Sequence, residues 1–408
     1  MKRGLARRLG TADAVIIGLG SMIGAGVFAA FGPAARSAGT GLLVGLALAA
    51  VVAYCNATSS AQLAAVYPTS GGTYVYGRER LGDWWGFLAG WGFVIGKTAS
   101  CAAIALTFAA YAAPGFERPV AVAAVVALAA VNYRGITRTA RLTRILVAVS
   151  LAALAVVVAA NLAGGAASVA HLAGPAIDPA GVLQSAGLLF FAFAGYARIA
   201  TLGEEVRDPQ RVIPRAIPLA LGITVAVYAV VAASALLVLG PQRLAAASAP
   251  LAAAVHAGGW DWAGPVVRVG AAAASLGSLL ALIAGVGRTS LAMARNADLP
   301  RWLAAVHPRF RVPHRAEVVV AVAVCALVLT VDLRGAIGFS SFGVLIYYLI
   351  ANVSAYTQPR EQRRWPRAVQ VLGAVGCLVL VVTLPRSAVL IGLSVFAAGA
   401  LYRLFARR

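Results

Sequence analysis

Apolar residues fill this chain in long runs, and charged residues are confined to the short gaps between them. Such runs show neither the strict alternation of a half-buried strand nor the polar stripe of a surface helix. Twelve are drawn, at 14–35, 40–65, 84–112, 119–133, 145–163, 179–203, 216–240, 269–287, 318–331, 336–356, 368–385 and 387–402. Most approach the roughly 20 residues that a helix needs to cross a bilayer; the fourth, ninth and twelfth are short. The pattern predicts an all-α integral membrane protein of twelve transmembrane helices, in one domain spanning 1–408. The alternating ten-residue segments of a transmembrane barrel do not occur.

Composition agrees. Of 408 residues, 61% are hydrophobic and 12% charged, against about 45–50% and 25% in soluble domains. The first span follows a basic start, MKRGLARRLG, with no small-residue cleavage site, so it is expected to be retained. Cys55, Cys101, Cys325 and Cys377 fall inside apolar runs without a CxxC or Cys/His cluster, which predicts buried free thiols and no metal site.

The formal charge of +21 would fit a nucleic-acid partner, but its placement argues otherwise. Of 34 Lys and Arg, 26 fall in the tails and every second loop, six in the alternate loops, and Lys97 and Arg198 inside spans. Loop-by-loop alternation is the positive-inside signature of membrane topology. It places both termini in the cytoplasm and leaves the lipid bilayer, not nucleic acid, as the partner of the charge. No oligomeric state is assigned.

Glycine inside a helix costs about 1 kcal/mol relative to alanine, yet the first span reads GLGSMIGAGVF, Gly18 to Phe28. The sixth carries Gly195 mid-span. Secondary transporters are often inverted repeats with discontinuous helices at matching positions, and spans one and six match if the repeat is five spans. The short fourth and ninth spans match under the same unit. Repeats are therefore expected at about 11–163 and 178–357, followed by two extra helices at about 367–405. Unwound backbone would offer the N–H groups of Ala25 and Gly26 to a carboxylate and the carbonyls near Met22, Phe193 and Ala194 to an ammonium. The competing reading makes these glycines helix-packing contacts, for which Gly20-xxx-Gly24 fits.

GLGSMIGAGVF, together with FFAFAGYARIATLGEEVRDPQRVIPRAI (Phe190 to Ile217), resembles the amino acid–polyamine–organocation permeases. The second motif, with Glu204, Glu205, Pro209, Arg211, Pro214 and Arg215, is the more specific. The resemblance implies the leucine-transporter (LeuT) fold, a 5+5 inverted repeat plus two C-terminal helices with helices one and six discontinuous. It also implies an amino acid substrate held by Ser21, Met22, Ile23, Gly24, Ala25 and Gly26 and by Phe193, Ala194 and Gly195, with Phe191 at the position of an aromatic gate. Two departures stand out: Gly195-Tyr196-Ala197-Arg198 lacks the acidic residue common after the sixth-helix break, and span five lacks a lysine common in proton-coupled members.

Lys97 lies near mid-membrane, where a lysine costs at least ~2.5–3.5 kcal/mol on insertion scales and usually marks a pathway. It is a candidate proton carrier, or else a structural amine on helix-end carbonyls. Arg198 is read as a cap on broken-helix carbonyls or as part of a gate, and Asp13 as a pairing group at the mouth of span one. Glu204 and Glu205 are expected to form a salt-bridge network with Arg207, Arg211 and Arg215. Ser275 and Ser278 fit either a sodium-type site or plain helix packing. Residues 241–263 carry a helical apolar pattern and are expected to form a lid.

The expected function is a secondary amino acid permease working by alternating access with a proton as coupling ion, sodium being less favoured, and with no cofactor. A dicationic substrate is disfavoured by Lys97 and Arg198. The alternatives are a transport-dead amino acid sensor, which the short tails disfavour, and an amino acid/amine exchanger. No catalytic constellation or ATP-binding motif points to an enzyme or a primary pump.

Overall fold

The computed structural model describes residues 9–68, 71–135, 140–172, 177–202 and 205–406. Within them the chain is helical and forms no strand; one isolated bridge pairs Leu9 with Val206. The first predicted span is three helices, α1 (Thr11–Met22), α2 (Ala25–Ala29) and α3 (Phe31–Ala38). Next come α4 (Leu42–Val66), α5 (Thr73–Leu81), α6 (Asp83–Ala112), α7 (Glu117–Tyr133) and α8 (Ala140–Ala163). The sixth predicted span is also divided, into α9 (Pro179–Phe193), a 3-10 turn (Ala194–Tyr196) and α10 (Ala197–Ala200). The rest is α11 (Pro209–Ala246), α12 (Pro250–Ala257), α13 (Gly264–Arg295), α14 (His314–Thr330), α15 (Leu333–Tyr356), α16 (Arg367–Thr383) and α17 (Arg386–Ala406).

Each of the twelve predicted runs coincides with helix, and nine stretches among the described residues are long and apolar enough to cross a membrane. The other three, α7, α14 and α16, have 17 residues each, about 25 Å at 1.5 Å per residue. The fourth and ninth spans are short, as expected. The twelfth is not: α17 has 21 residues, and the short member of the last pair is α16. The helix of the sixth span stops at Ala200 rather than 203.

Burial separates centre from rim. In α6 83% of the most apolar window is buried, in α17 only 22%. With no water to satisfy a bare backbone, helix is the conformation that an apolar spanning segment can adopt. Side chains such as Val322, Val382, Leu390 and Phe405 stay exposed on the rim helices.

The expected lid is the helix α12. α11 bends at Gly240, whose φ of 66° precedes Pro241, a left-handed torsion that glycine adopts without penalty. The Tyr111 hydroxyl on α6 then ties α12 to the first span: it donates to Phe28 O (3.1 Å) and accepts from the Leu251 amide (3.1 Å). Arg268 donates to Tyr111 O at 2.9 Å.

The opposite, basic end of the bundle is clamped by a buried ion cluster around Asp298, in the turn after α13. Asp298 accepts from Tyr74 (2.8 Å), pairs with Arg78 of α5 (3.0 Å), and pairs with Arg403 of α17 (3.3 Å). The Arg403 guanidinium also donates to Asp83 O at 2.7 Å and lies 4.6 and 4.7 Å from the Trp84 and Phe87 rings. Burial, reinforced by the Asp298 carboxylate, pushes the Tyr74 phenol up to about 12, which keeps it a donor.

Candidate functional site

The two interruptions face each other at the centre of the bundle. At the first, α1 ends at Met22, Ile23 takes ψ 52° and Gly24 takes φ −102° and ψ −136°, neither helical, before α2 begins at Ala25. The second is a tightening of the helix rather than an unwinding, because Ala194–Tyr196 keeps 3-10 geometry. Met22, Ile23, Gly24, Ala25, Gly26, Phe191, Phe193 and Ala194 are buried; Ser21 and Gly195 are partly so.

The glycines serve close approach. None of Gly18, Gly20, Gly24, Gly26 or Gly195 has a positive φ, so left-handed backbone is not why they are glycine. Each instead seats a different neighbour. A Cβ on Gly18 would strike Ile199 of α10, and one on Gly20 would come within 2.8 Å of Val147 of α8. On Gly24 it would strike Ser278 of α13, and on Gly26 it would lie 2.7 Å from Ala192 Cα of α9. Gly195 rests on the Ser21 carbonyl and the Met22 amide of the first break in the same way. All four glycines of the first span thus make close contacts of the kind the packing reading expects, and two of them flank the break as well.

The freed carbonyls already have donors. The Tyr228 hydroxyl of α11 reaches both Met22 O (2.5 Å) and Ala192 O (3.1 Å), and a phenol has one proton to share between them. Ala194 O accepts from Lys97 Nζ at 3.2 Å and from the Tyr348 hydroxyl at 3.3 Å. Lys97 is thus brought from α6 onto the second break, 8% exposed, and no carboxylate among the described residues pairs with it. Phe193 packs on Tyr228 and Phe190 on Tyr348.

Other expectations fare differently. The hydroxyls of Ser275 and Ser278 have no protein partner, and Ser278 faces Gly24, so α13 does bring a hydroxyl to the first break. Arg198 is partly buried and caps no carbonyl among the described residues. Asp13 pairs with Arg144 of α8. The expected acidic–basic loop network does not form as drawn. Glu204 lies outside the described residues, Glu205 pairs with none of the named arginines, and Arg211 pairs with Asp208 at 3.7 Å. That loop is held instead through backbone, with the Leu9 amide donating to Glu205 O and the Arg207 amide to Leu9 O, both at 3.1 Å.

Tyr111, Tyr228 and Tyr348 were not singled out from sequence. A signal existed: a tyrosine inside an apolar span needs a partner for its hydroxyl, and here each finds a main-chain carbonyl. Two cavities, of about 440 and 550 Å³, lie away from the breaks. The first runs along α6 and α14, and the second is walled by α12 with His256, Asp261 and Arg268 on its rim.

Comparison with known proteins agrees with this architecture. A family model described as amino acid permease matches residues 13–405. An uncharacterized transporter of Mycobacterium tuberculosis is 65% identical over 396 residues, covering 97% of this chain and 90% of that protein. A branched-chain amino acid permease of Bacillus subtilis is 26% identical over 91% of this chain and 85% of its own length. A cationic amino acid transporter of Arabidopsis thaliana, chloroplastic, is 28% identical over 89% of this chain and 68% of its own length. Broken apolar helices meeting at the centre of a multi-pass bundle, and a match along nearly its whole length, have one reading: the chain belongs to the amino acid permease family of membrane transporters.

Proposed function

We propose that this permease carries amino acids across the cytoplasmic membrane by alternating access, with twelve spans in the LeuT arrangement and both termini in the cytoplasm. The observation that carries the reading is the interlock of the two breaks, Gly26 on Ala192 and Gly195 on Ser21 and Met22. A substrate enters there when the helices part, its carboxylate at the leading amides of α2 and its ammonium at the carbonyls of Met22 and Phe193. The equal 17-residue lengths of α7 and α14 support repeats at about 11–163 and 178–357, with about 367–405 appended. Lys97 and Arg198 favour a substrate with a neutral side chain, in line with the branched-chain relative rather than the cationic one. Uptake of labelled leucine and arginine into proteoliposomes, under imposed proton and sodium gradients, tests this. Accumulation of arginine without leucine would reverse the side-chain assignment, and accumulation of no amino acid would remove the reading.

The orientation has its own test. Single cysteines placed in residues 241–263 are expected to react with an impermeant thiol reagent from outside the cell. Reaction only after permeabilisation would invert the topology.

Lys97 carries the coupling proton in this reading. Its ammonium is held by main-chain carbonyl without a carboxylate, so a change of charge there acts on the second break directly. A proton biases the outward–inward equilibrium only if Lys97 binds it differently in the two states. Lys97→Met is expected to lose proton-driven accumulation while exchange of internal for external substrate continues. Unchanged accumulation would make Lys97 structural. Sodium coupling has one observation in its favour, the unbonded Ser275 and Ser278 hydroxyls, the latter beside Gly24; sodium-dependent uptake lost in Ser278→Ala would select it.

A further inference from the structure

Where α4, α15 and α16 meet, the interior of the bundle is polar. Asn352 Nδ2 donates to Asn56 Oδ1 (2.6 Å), and the Ser59 hydroxyl donates to Asn352 Oδ1 (2.7 Å). Farther along α4, Gln62 Nε2 donates to Gln358 Oε1 (2.8 Å) and Ala355 O (3.2 Å). The Arg364 amide, in the loop at the basic end, donates to Gln62 Oε1 at 3.4 Å. At its other end the seam reaches the second break. Asn352 Nδ2 also donates to Tyr348 O (3.0 Å), and the Tyr348 ring lies 5.0 Å from that of Tyr196 in the 3-10 turn.

These bonds use only part of the hydrogen-bonding capacity present. The Tyr196 hydroxyl bonds within the protein, to Tyr348 and Asn56, but Ser60 Oγ, Ser354 Oγ, Gln358 Nε2 and both amide atoms of Gln370 have no protein partner. Each of these residues is at most 2% exposed. Gln370 sits in the first turn of α16, one turn before Gly373, which abuts Asn352: a Cβ there would come within 2.6 Å of Asn352 Oδ1. Unbonded polar atoms are costly away from water, and native interiors hold few of them. Five of them along α4, α15 and α16 call for a partner that both donates and accepts and is small enough to enter a packed seam. Water meets those conditions.

We propose that this seam holds a file of ordered water molecules running along α4 and α15, from the Asn56–Asn352 pair behind the second break to the basic end of the bundle. The front of that break is packed against α1, so the file meets its back through the bonded side chains of Asn56, Tyr196 and Tyr348 and keeps a solvent path open along α4 and α15. The water file does not depend on which amino acid is carried.

Pulsed X-ray hydroxyl-radical labelling of the intact protein in nanodiscs, read by mass spectrometry, tests the proposal. Ordered waters generate radicals in place, so a side chain beside them is modified without exposure. Cys377 is the reporter, because it is fully buried and its Sγ lies 3.4 Å from Asn56 Oδ1. Cys101, equally buried on α6 but outside the seam, is the reference. Cys377 is expected to be modified at least tenfold faster than Cys101, and Gln370→Leu to reduce its labelling several-fold and lower the unfolding temperature as water bonds are lost. Equal rates for the two cysteines would overturn the file. A Gln370→Leu protein with unchanged labelling and a raised unfolding temperature would do the same, since removing a polar atom from a dry seam stabilises. Neither measurement uses a substrate, so failure here is distinct from failure of the transport reading.

Discussion

Valine in place of Gly26 abolishes uptake and lowers the unfolding temperature, and alanine at the same position already removes most of the activity. A Cβ there lies 2.7 Å from Ala192 Cα and 2.8 Å from Ala192 Cβ. The nearer atom is backbone, so α2 and α9 must part, and valine's branched, stiff side chain widens the gap further. Over-packing of this kind costs about 1–3 kcal/mol, taken from the contact on which both breaks depend. Uptake in proteoliposomes is expected to fall at least tenfold for Gly26→Ala and to vanish for Gly26→Val. Adding Ala192→Gly to Gly26→Ala restores part of the uptake only, because the Cα of residue 192 stays in place. Wild-type uptake with an unshifted melting curve in Gly26→Val would show that the helices do not meet here. The packing thus carries the damage beyond the binding site to the fold.

Asp298→Ala is expected to be the most destabilising single change at the basic end. It removes the shared acceptor of Tyr74, Arg78 and Arg403, and leaves the guanidinium of Arg403, 1% exposed, without its carboxylate. Breaking a buried pair from one side costs about 3–5 kcal/mol, whereas replacing both partners with apolar groups of similar size is often far milder. Denaturant or thermal unfolding of Asp298→Ala, Arg403→Leu and the double variant Asp298→Leu/Arg403→Met resolves the two cases. The double variant is expected to be more stable than either single one. A loss below about 1 kcal/mol in Asp298→Ala, the scale of an exposed ion pair, would show that the cluster is solvated.

The helices and the positions of both breaks were legible because their signals are local. An apolar run of about 20 residues in a bilayer admits helix and little else, and four glycines inside one mark where something comes close. What the glycines approach was not legible. Gly24 meets Ser278 and Gly26 meets Ala192, contacts between residues far apart in the chain that no window of sequence contains. Arg403 and Arg78 read as two more positive charges setting topology, and nothing near either named Asp298 as their common partner. The second break was overdrawn for a related reason: a glycine permits unwinding, but Gly195 sits in a turn that stays 3-10, and its Ala194 carbonyl is taken up by Lys97 and Tyr348 from distant helices. The same long-range pairing defeats sequence in the α4–α15 seam, where nothing near Asn56, Ser59 or Gln62 names Asn352 and Gln358 as their partners.

The Asp298 cluster also sets a schedule for biogenesis. Arg403 leaves the ribosome about a hundred residues after Asp298, a delay of roughly 5–20 s at usual elongation rates. Throughout that interval Tyr74 and Arg78, both made long before it, already hold the carboxylate in the half-built bundle. Arg78 is therefore the provisional counter-ion of the nascent chain, and α17 the piece that completes the charge balance last. A variant without Arg78 is expected to be caught by quality-control proteases during synthesis, even where the finished protein, once α17 has docked, would be stable enough to survive.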